Sequence, residues 1–250
     1  MRLDKLLALS GERSRSEAAR AVHAGLVCVN GVAVRDPAAH VSERDEVIFA
    51  SQSVAAQGEQ YYRLHKPAGV LTAARDSHAQ TVMDLLPEAL RRRKVLPVGR
   101  LDKDTTGLLL LTNDGELAHR LLSPKHHVWK QYLVTVEGQL CEEDVLAFSV
   151  GMTLSDFVAK PAELIILRAD EQMSQALVSL REGKFHQVKR MFSARGHEVL
   201  TLHRSAFGPL TLPEQLEPGA YRALTQAEVE ALKRSAQRSA EAEEGIEDDD

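Results

Sequence analysis

The chain has 250 residues, of which 44% are hydrophobic, and its formal net charge is −5. This length leaves room for one large and one small domain, each with a buried core. No apolar run is long enough to cross a membrane and the first ten residues lack the apolar core of a secretion signal, so we expect a cytoplasmic protein. Cys28 and Cys141 lie far apart without metal-ligand spacing, which argues against a disulfide framework or a zinc site.

The negative charge is concentrated at the C-terminus. The last ten residues carry seven of the 36 acidic groups and no basic one, which leaves 29 acidic against 31 basic groups in residues 1–240. Such a run is typical of a disordered, solubilising tail, which we place at 235–250. An alternative is that the tail competes with a nucleic acid for the slightly basic body of the chain.

Residues 1–50 are predicted to form a separate small module. A leucine stripe at helical spacing opens it, and Ser14 with Glu17 forms a capping-box pattern at the start of a second helix. The pair Asn30-Gly31 between two short alternating strands predicts a hairpin, because both turn positions need a positive φ. The polar stretch 51–60 has no periodicity and is typical of a flexible linker.

Three segments follow one another in this module: R-L-D-K-L-L-A, S-R-S-E-A-A-R and G-L-V-C-V-N-G. In this order they resemble the S4 RNA-binding domain over about residues 1–48. From charge alone, the basic residues would be equally well explained as a solvated helix face. The resemblance implies that Arg13, Arg15 and Arg20 contact RNA phosphates.

A larger domain is predicted for residues 61–234. It begins with a strand that ends at the turn Lys66-Pro67-Ala68-Gly69, and a short helix is expected at 81–86, before Pro87. The basic run at 91–94 could bind phosphate or simply end a helix in solvent.

The stretch 98–115 places charged residues in front of an apolar run. Residues 108–112 predict a buried strand, and Gly107 before it permits a tight bend or a close backbone approach. If Leu101 points inward, Asp102 points the other way and could face a cleft. Spacing alone explains Asp102 and Asp104 equally well as solvated turn residues.

The second half of this domain contains further regular elements. A helix at 116–123 should turn Leu117, Leu121 and Leu122 inward, and the alternating strand 130–136 should place Tyr132 on its apolar face. Beyond a strand at 175–180, three residues recur at helical spacing: Val188, Met191 and Phe192. This spacing leaves Lys184, His186 and Lys189 at the rim of a pocket. A last helix is expected at 226–234, with Thr225 and Glu228 as its capping pair.

The segment G-R-L-D followed by T-G-L-L-L-L-T-N-D-G, at 99–102 and 106–115, resembles the central signature of bacterial ribosomal RNA pseudouridine synthases. In that family the aspartate is catalytic, which implies this role for Asp102. The Lys66-Pro67 turn resembles the start of the family's catalytic domain. K-x-Y-x-V resembles the position where a tyrosine stacks on the target base, and H-Q-V-K resembles the element whose cation pairs with the aspartate.

The resemblance therefore implies a catalytic set of Asp102, Lys189, Tyr132 and Arg100, with Arg100 supporting the gap that the flipped uridine leaves in the RNA. Lys66, His186 and Gln187 are further candidate RNA contacts, although Lys66 is expected to be mainly architectural. The implied fold class is α+β, a small S4-like domain followed by a larger domain with a mostly antiparallel mixed sheet.

The implied reaction converts uridine to pseudouridine and needs neither cofactor nor metal. The form H-Q-V-K-R-M resembles the small-subunit branch, so the expected partner of this monomer is 16S rRNA or a small-subunit precursor, with the uridine at position 516 as target. Three alternatives stay open: a large-subunit rRNA synthase, a non-catalytic S4-type assembly factor, and a hydrolase that uses Asp102 with Asp104.

Overall fold

The structure, a computed structural model, describes residues 1–10, 14–42, 45–54, 58–123 and 128–244, with side chains described as far as 237. The chain divides into two compact units. The first, the N-terminal unit, comprises Met1–Gln60 and Leu86–Leu96; the second, the large unit, comprises Tyr61–Leu85 and Pro97–Asp250. The first stretch of the N-terminal unit ends at Gln60, the last residue of the predicted linker, and residues 86–96 return to this unit.

The N-terminal unit packs helices against a small sheet. Its helices are α1 (Leu3–Leu9), α2 (Arg15–His23) and, from the returning segment, α3 (Glu88–Arg92). Its strands are β1 (Val27–Val29), β2 (Val32–Val34), β3 (Val47–Phe49) and β4 (Gln52–Ser53), in the order β2-β1-β3-β4. Residues from α1, α2, β1 and β3 form its buried apolar core.

Two local predictions in this unit are confirmed. Ser14 and Glu17 make both hydrogen bonds of the capping box at the start of α2. Asn30 and Gly31 have φ values of 52° and 78°, as the hairpin between β1 and β2 requires. The linker prediction is wrong at 52–53, which pair with β3 through a turn at Ala50 and Ser51 with positive φ at both positions. Neither alanine nor serine predicts a turn of this kind.

The large unit is built on a nine-stranded sheet. In chain order its strands are β5 (Tyr61–Lys66), β6 (Leu96–Pro97), β7 (Thr106–Thr112), β8 (Lys130–Glu137), then β11 (Glu163–Ala169), β12 (Met173–Leu180), β13 (Val199–Phe207), β14 (Leu210–Thr211) and β15 (Tyr221–Ala223). A separate pair consists of β9 (Met152–Thr153) and β10 (Val158–Ala159). The helices are α4 (Gly115–Leu122), α5 (Glu142–Val150), α6 (Gln187–Ala194) and α7 (Gln226–Glu244).

The main path of the sheet runs β11-β12-β8-β13-β7-β5-β15. Neighbours along this path are antiparallel except β13 and β7, which are parallel. The predicted α+β class with a mostly antiparallel mixed sheet is confirmed. The central strand β7 is apolar on both faces, because Leu108 and Leu110 pack in a core with α4 and α7 while Leu109 and Leu111 are equally buried.

Three element predictions in this part of the chain need correction. Residues 82–85 form turns and not a helix: Thr81 pairs with Leu71, whose carbonyl accepts from the Val82 N–H at 2.8 Å, and Pro87 follows directly. Leu122 is 45% exposed and does not face the core. Helix α7 continues beyond 234 to Glu244 through a run of good helix formers, so only 245–250 of the predicted tail lie outside the described residues.

None of the helices in the described ranges combines the length and the apolar character that crossing a bilayer requires.

Candidate active site

The loop that carries Asp102 is fixed at its end by a close contact between two strands. Gly107 in β7 lies beside Arg204 in β13, where these strands run parallel. Its φ is 108°, and a Cβ on Gly107 would lie 2.3 Å from the backbone O of Arg204 and 2.6 Å from its backbone N. The close backbone approach predicted for Gly107 is confirmed, and only glycine satisfies it.

Two buried side chains hold the loop from behind. The Lys66 ammonium donates to the backbone oxygens of Pro67 at 2.9 Å, Lys103 at 3.1 Å and Thr105 at 2.8 Å. The Thr72 hydroxyl donates to the carbonyl of Leu101 at 2.8 Å and accepts from its N–H at 3.2 Å. These bonds clamp the backbone on both sides of Asp102.

Lys66 is therefore not an RNA contact, because its side chain is fully buried and its three N–H donors are all used. These contacts agree with the expected architectural role of Lys66. Burial lowers the pKa of Lys66 to about 8, and the nearby carboxylates of Asp104 and Asp102 oppose that shift.

The clamped loop presents Asp102 toward the second half of the unit. Leu101 is buried, as expected, while the Asp102 side chain is 27% exposed. Its Oδ1 lies 3.5 Å from Nε2 of His186, and its Oδ2 lies 4.0 Å from Nζ of Lys189. Residues more than 80 positions apart in sequence thus meet around one carboxylate.

Lys189 makes its shortest contacts with the neighbouring acid. Its Nζ donates to Oδ1 and Oδ2 of Asp104 at 2.7 and 2.6 Å, and this hydrogen bond is the largest cause that lowers the pKa of Asp104. The predicted pairing of Lys189 with Asp102 is present only at the longer distance of 4.0 Å. Lys189 therefore bridges two carboxylates, and the shorter contact with Asp104 orients it.

Tyr132 enters the same cleft from β8. It lies on the buried face of that strand, as the alternation predicted. One cleft is lined by Arg100, Asp102, Tyr132, His186 and Gln187, together with Thr105, Lys184 and apolar residues. The structure thus brings together residues of three separate sequence motifs, G-R-L-D, K-x-Y-x-V and H-Q-V-K.

His186 and Gln187 differ in what they can reach. His186 has a positive φ of 51° where α6 begins, and its side chain is 41% exposed. The Gln187 side chain is buried, with its Nε2 donating to Glu182 at 2.6 Å and its Oε1 accepting from the backbone N–H of Lys184 at 2.9 Å. Gln187 thus supports the loop before α6 and is not an RNA contact, whereas His186 stays a candidate.

Phe185 is a further residue of this region, and the sequence motifs did not single it out. It is 72% exposed, and its ring stacks on that of His186 with the centroids 3.8 Å apart. An exposed aromatic beside a recognised motif, in a chain with 4% aromatics, was a usable signal. No sequence pattern indicated the contacts of Thr72 and Asp104, because both side chains bind residues distant in sequence.

The candidate RNA contacts of the N-terminal unit lie on its surface. Arg15 is exposed and makes a 3.3 Å ion pair with Asp4, and Arg20 is exposed on α2. Arg13 lies outside the described residues. Within the described ranges, no group of three or more His, Cys, Asp or Glu side chains is placed to hold a metal ion.

Comparison with known proteins matches two families to the chain. Residues 60–194 match the family described as RNA pseudouridylate synthase, and residues 1–47 match the S4 domain. An uncharacterized RNA pseudouridine synthase of Bacillus subtilis is 44% identical over 93% of this chain and 98% of its own length. Ribosomal small subunit pseudouridine synthase A of Haemophilus influenzae is 41% identical, with 93% and 99% covered.

A crystal structure described as a pseudouridylate synthase superimposes with a TM-score of 0.65. It is 40% identical and covers 93% of this chain and 99% of its own.

Proposed function

The chain belongs to the RNA pseudouridylate synthase family and carries an S4 domain, and from this premise we propose that it converts a specific uridine of small-subunit ribosomal RNA into pseudouridine. The observation that carries the proposal is the position of Asp102, in a cleft with Tyr132 and Arg100 and 4.0 Å from the Lys189 ammonium.

The reaction rearranges one nucleotide without gain or loss of atoms. The N1–C1′ bond of uridine breaks, the uracil turns, a C5–C1′ bond forms, and the proton lost from C5 is balanced by one gained at N1. The chemistry needs a carboxylate at the ribose, a surface that holds the loosened base, and groups that position the RNA. We assign the first role to Asp102, either as nucleophile at C1′ or as base at the ribose.

The other cleft residues have complementary roles in this proposal. Tyr132 offers its ring to the flipped uracil, since aromatic stacking holds an extruded base. Arg100 is exposed at the mouth of the cleft and would occupy the gap left in the RNA. Lys189, held by Asp104, keeps a positive charge beside Asp102 and so orients the catalytic carboxylate.

The substrate assignment rests on the named relatives and the residues of α6. The Haemophilus protein and a 38% identical Escherichia coli protein are both named ribosomal small subunit pseudouridine synthase A. With the motif H-Q-V-K-R-M of this chain, these names support 16S rRNA, or a small-subunit precursor in the cytoplasm, as substrate. The uridine at position 516 is the target that the resemblance implies, and we propose that the protein acts on it as a monomer.

The test compares the wild type with Asp102→Asn, which keeps the shape of the side chain and removes its charge. Each protein is incubated with a 16S rRNA fragment and with partly assembled small subunits, and pseudouridine is mapped chemically. We expect product at one uridine with the wild type, and unchanged RNA affinity without product for the variant. Asp170→Asn, in the turn between β11 and β12, is the matched control and should retain activity.

The alternatives give different results in the same assay. Free uracil would indicate a hydrolase, binding without product by the wild type would indicate an assembly factor, and product only on 23S rRNA would indicate a large-subunit enzyme. An Asp102→Asn variant with wild-type turnover would contradict the catalytic assignment.

A further inference from the structure

A second cavity adjoins the cleft of Asp102 in the large unit. Its volume is about 390 Å³, within the range of small-molecule sites. It shares Arg100, Tyr132, Gly183 and Lys184 with the lining of the cleft. Whatever occupies it therefore lies beside the nucleotide on which Asp102 acts.

The lining of this cavity is strongly cationic. Six basic side chains contribute to it: Arg100, Lys130, Lys160, Arg181, Lys184 and Arg204. The single acidic residue in the lining is Glu182. Its Oε1 already accepts hydrogen bonds from the backbone N–H of Lys160 at 2.7 Å and from Nε2 of Gln187 at 2.6 Å. The Glu182 carboxylate therefore stabilises the loop before α6.

Two of these cations are buried against each other. Lys130 is 8% exposed and Arg204 is 2% exposed, and both lie over the ring of Phe207, at 5.7 and 5.2 Å from its centroid. Burial lowers the pKa of Lys130 to about 8, and the charge of Arg204 acts in the same direction. Burying two like charges together is costly unless an opposite charge joins them.

Among the described residues, neither cation finds an acceptor for each of its N–H donors. Lys130 Nζ donates to one acceptor among the described residues, the carbonyl O of Val128 at 3.1 Å. Arg204 donates from Nε to the carbonyl of Leu108 at 2.8 Å, while its buried Nη2 has no hydrogen-bond partner in the described part of the chain. The ammonium of Lys66, which is also buried, differs from both, because three carbonyls accept its hydrogen bonds.

We propose that this cavity binds a phosphodiester group of the RNA substrate adjacent to the target uridine, with Lys130 and Arg204 as its inner ligands and Arg181 at its rim. The inference rests on the proposed function and extends it, since it says how the enzyme holds the flipped nucleotide in register. Charge-assisted hydrogen bonds to a phosphate would use the donors that the protein leaves unpaired. Arg181 is exposed and stacks on Trp129, 4.4 Å from its centroid, where the RNA backbone would enter.

The test replaces single phosphates of an RNA substrate by uncharged methylphosphonates on both sides of the target uridine. With the wild type, we expect one position to lower kcat/KM about 10- to 100-fold, the loss typical of a hydrogen bond to a charged group. Lys130→Met should show the same loss on unmodified RNA and little further loss at that position. Arg181→Gln should show a smaller loss at the same position, and Arg168→Gln, exposed on β11, is the control.

Two measurements without RNA test the site separately from the activity. Inorganic phosphate should raise the melting temperature of the wild type and have less effect on Lys130→Met. The variant without phosphate should melt at or above the wild-type temperature, because an unpaired buried charge has been removed. A clear drop in its melting temperature would show that Lys130 is a structural cation and would overturn the proposal.

The outcomes separate failure of the inference from failure of the proposed function. If the wild type forms pseudouridine but every methylphosphonate acts equally on wild type and Lys130→Met, the phosphate site is refuted and the enzyme assignment stands. Phosphate binding without any position-specific effect would assign the cavity to free anions and overturn the RNA assignment. If the wild type forms no pseudouridine, the proposed function fails, and a Lys130-dependent response to phosphate would still support the anion site.

Discussion

The contact between Gly107 and Arg204 makes the substitution Gly107→Ala a sharp test of how the site is built. Alanine at this position must adopt a φ of 108°, which side-chain-bearing residues rarely tolerate. Its Cβ would also overlap the backbone O and N of Arg204, at 2.3 and 2.6 Å, and neither atom can rotate away. The strands β7 and β13 would have to separate.

The expected loss of stability has two contributions, the backbone strain at Gly107 and the steric overlap with Arg204. Backbone strain of this kind costs about 1–3 kcal/mol, and forcing an extra methyl group into a packed site costs about 1–3 kcal/mol more. Together they lower the free energy of unfolding by about 2–6 kcal/mol, which corresponds to a fall in melting temperature of roughly 5–20 °C for a domain of this size.

Thermal unfolding followed by circular dichroism measures the loss, and pseudouridine formation by the folded variant measures its effect on the site. Activity should fall about 100-fold, because the loop with Asp102 and the strand with Arg204 both move, and a shift of about 1 Å can have that effect. Gly115→Ala is the matched control. Nothing lies within 4 Å of a Cβ at Gly115, and alanine should be neutral or slightly stabilising at this first position of α4.

A Gly107→Ala protein with the melting temperature and activity of the wild type would refute this reasoning. It would mean that β7 and β13 do not approach as closely as the structure has them.

Three further predictions concern other contacts of the large unit. Lys66→Met leaves the carbonyls of Pro67 and Thr105 without this donor, while the Lys103 carbonyl keeps the Gly69 N–H, so stability should fall by about 2 kcal/mol or more in urea unfolding, and single-turnover pseudouridine formation should fall more than RNA affinity. Phe185→Ala removes an exposed stacking surface, so RNA affinity should weaken by about 1–3 kcal/mol while the melting temperature stays the same. The hydrogen bond from Arg222 is the largest cause that lowers the pKa of Glu228, from 4.5 to about 2. A lowered carboxyl pKa stabilises the fold fully above pH 4.5, and the contribution is lost as the pH falls toward 2. Screened by solvent, it amounts to roughly 1–2 kcal/mol, and urea unfolding of Glu228→Gln between pH 7 and 3 should show a flatter pH dependence than the wild type.

For each of these three predictions, one experimental result would contradict it. Wild-type stability in Lys66→Met would mean that the ammonium is not needed to hold the Asp102 loop. Phe185→Leu keeps apolar area but not the ring and should resemble Phe185→Ala; if it instead binds RNA as the wild type does, stacking is not the interaction. Parallel pH curves for Glu228→Gln and the wild type would show that the contacts of the Glu228 carboxylate with Arg222, Arg63 and Thr225 make no pH-dependent contribution to stability.

Local patterns in the sequence were sufficient for the elements that neighbours along the chain decide. The Asn30-Gly31 turn, the Ser14 capping box and the apolar run of β7 depend on backbone preferences and on groups within a few residues, so they could be predicted without the fold. The two motifs around Asp102 and Lys189 could be recognised as belonging to one site because they resemble those of a known family.

Local patterns failed where pairing with a distant segment replaced the expected helix or where turn chemistry was unusual. At 81–86 the backbone of Thr81 and Val82 pairs with Leu71, and turns take the place of a helix. At Ala50 and Ser51 two ordinary residues adopt positive φ because pairing of β4 with β3 compensates for the strain. Such outcomes depend on small energy differences that residue preferences do not resolve.

The sequence by itself determined the family and the residues that we propose for the chemistry, whereas tertiary structure alone decided how they are held. Lys66 holds the Asp102 loop, Asp104 makes the shortest contact with Lys189, and Lys130 and Arg204 share a cavity. All three depend on residues 37 to 85 positions apart that meet only in the folded chain. The physical reason is that hydrogen bonds and charge interactions act over a few ångströms in space, and the register of the sheet sets which distant residues come within that range.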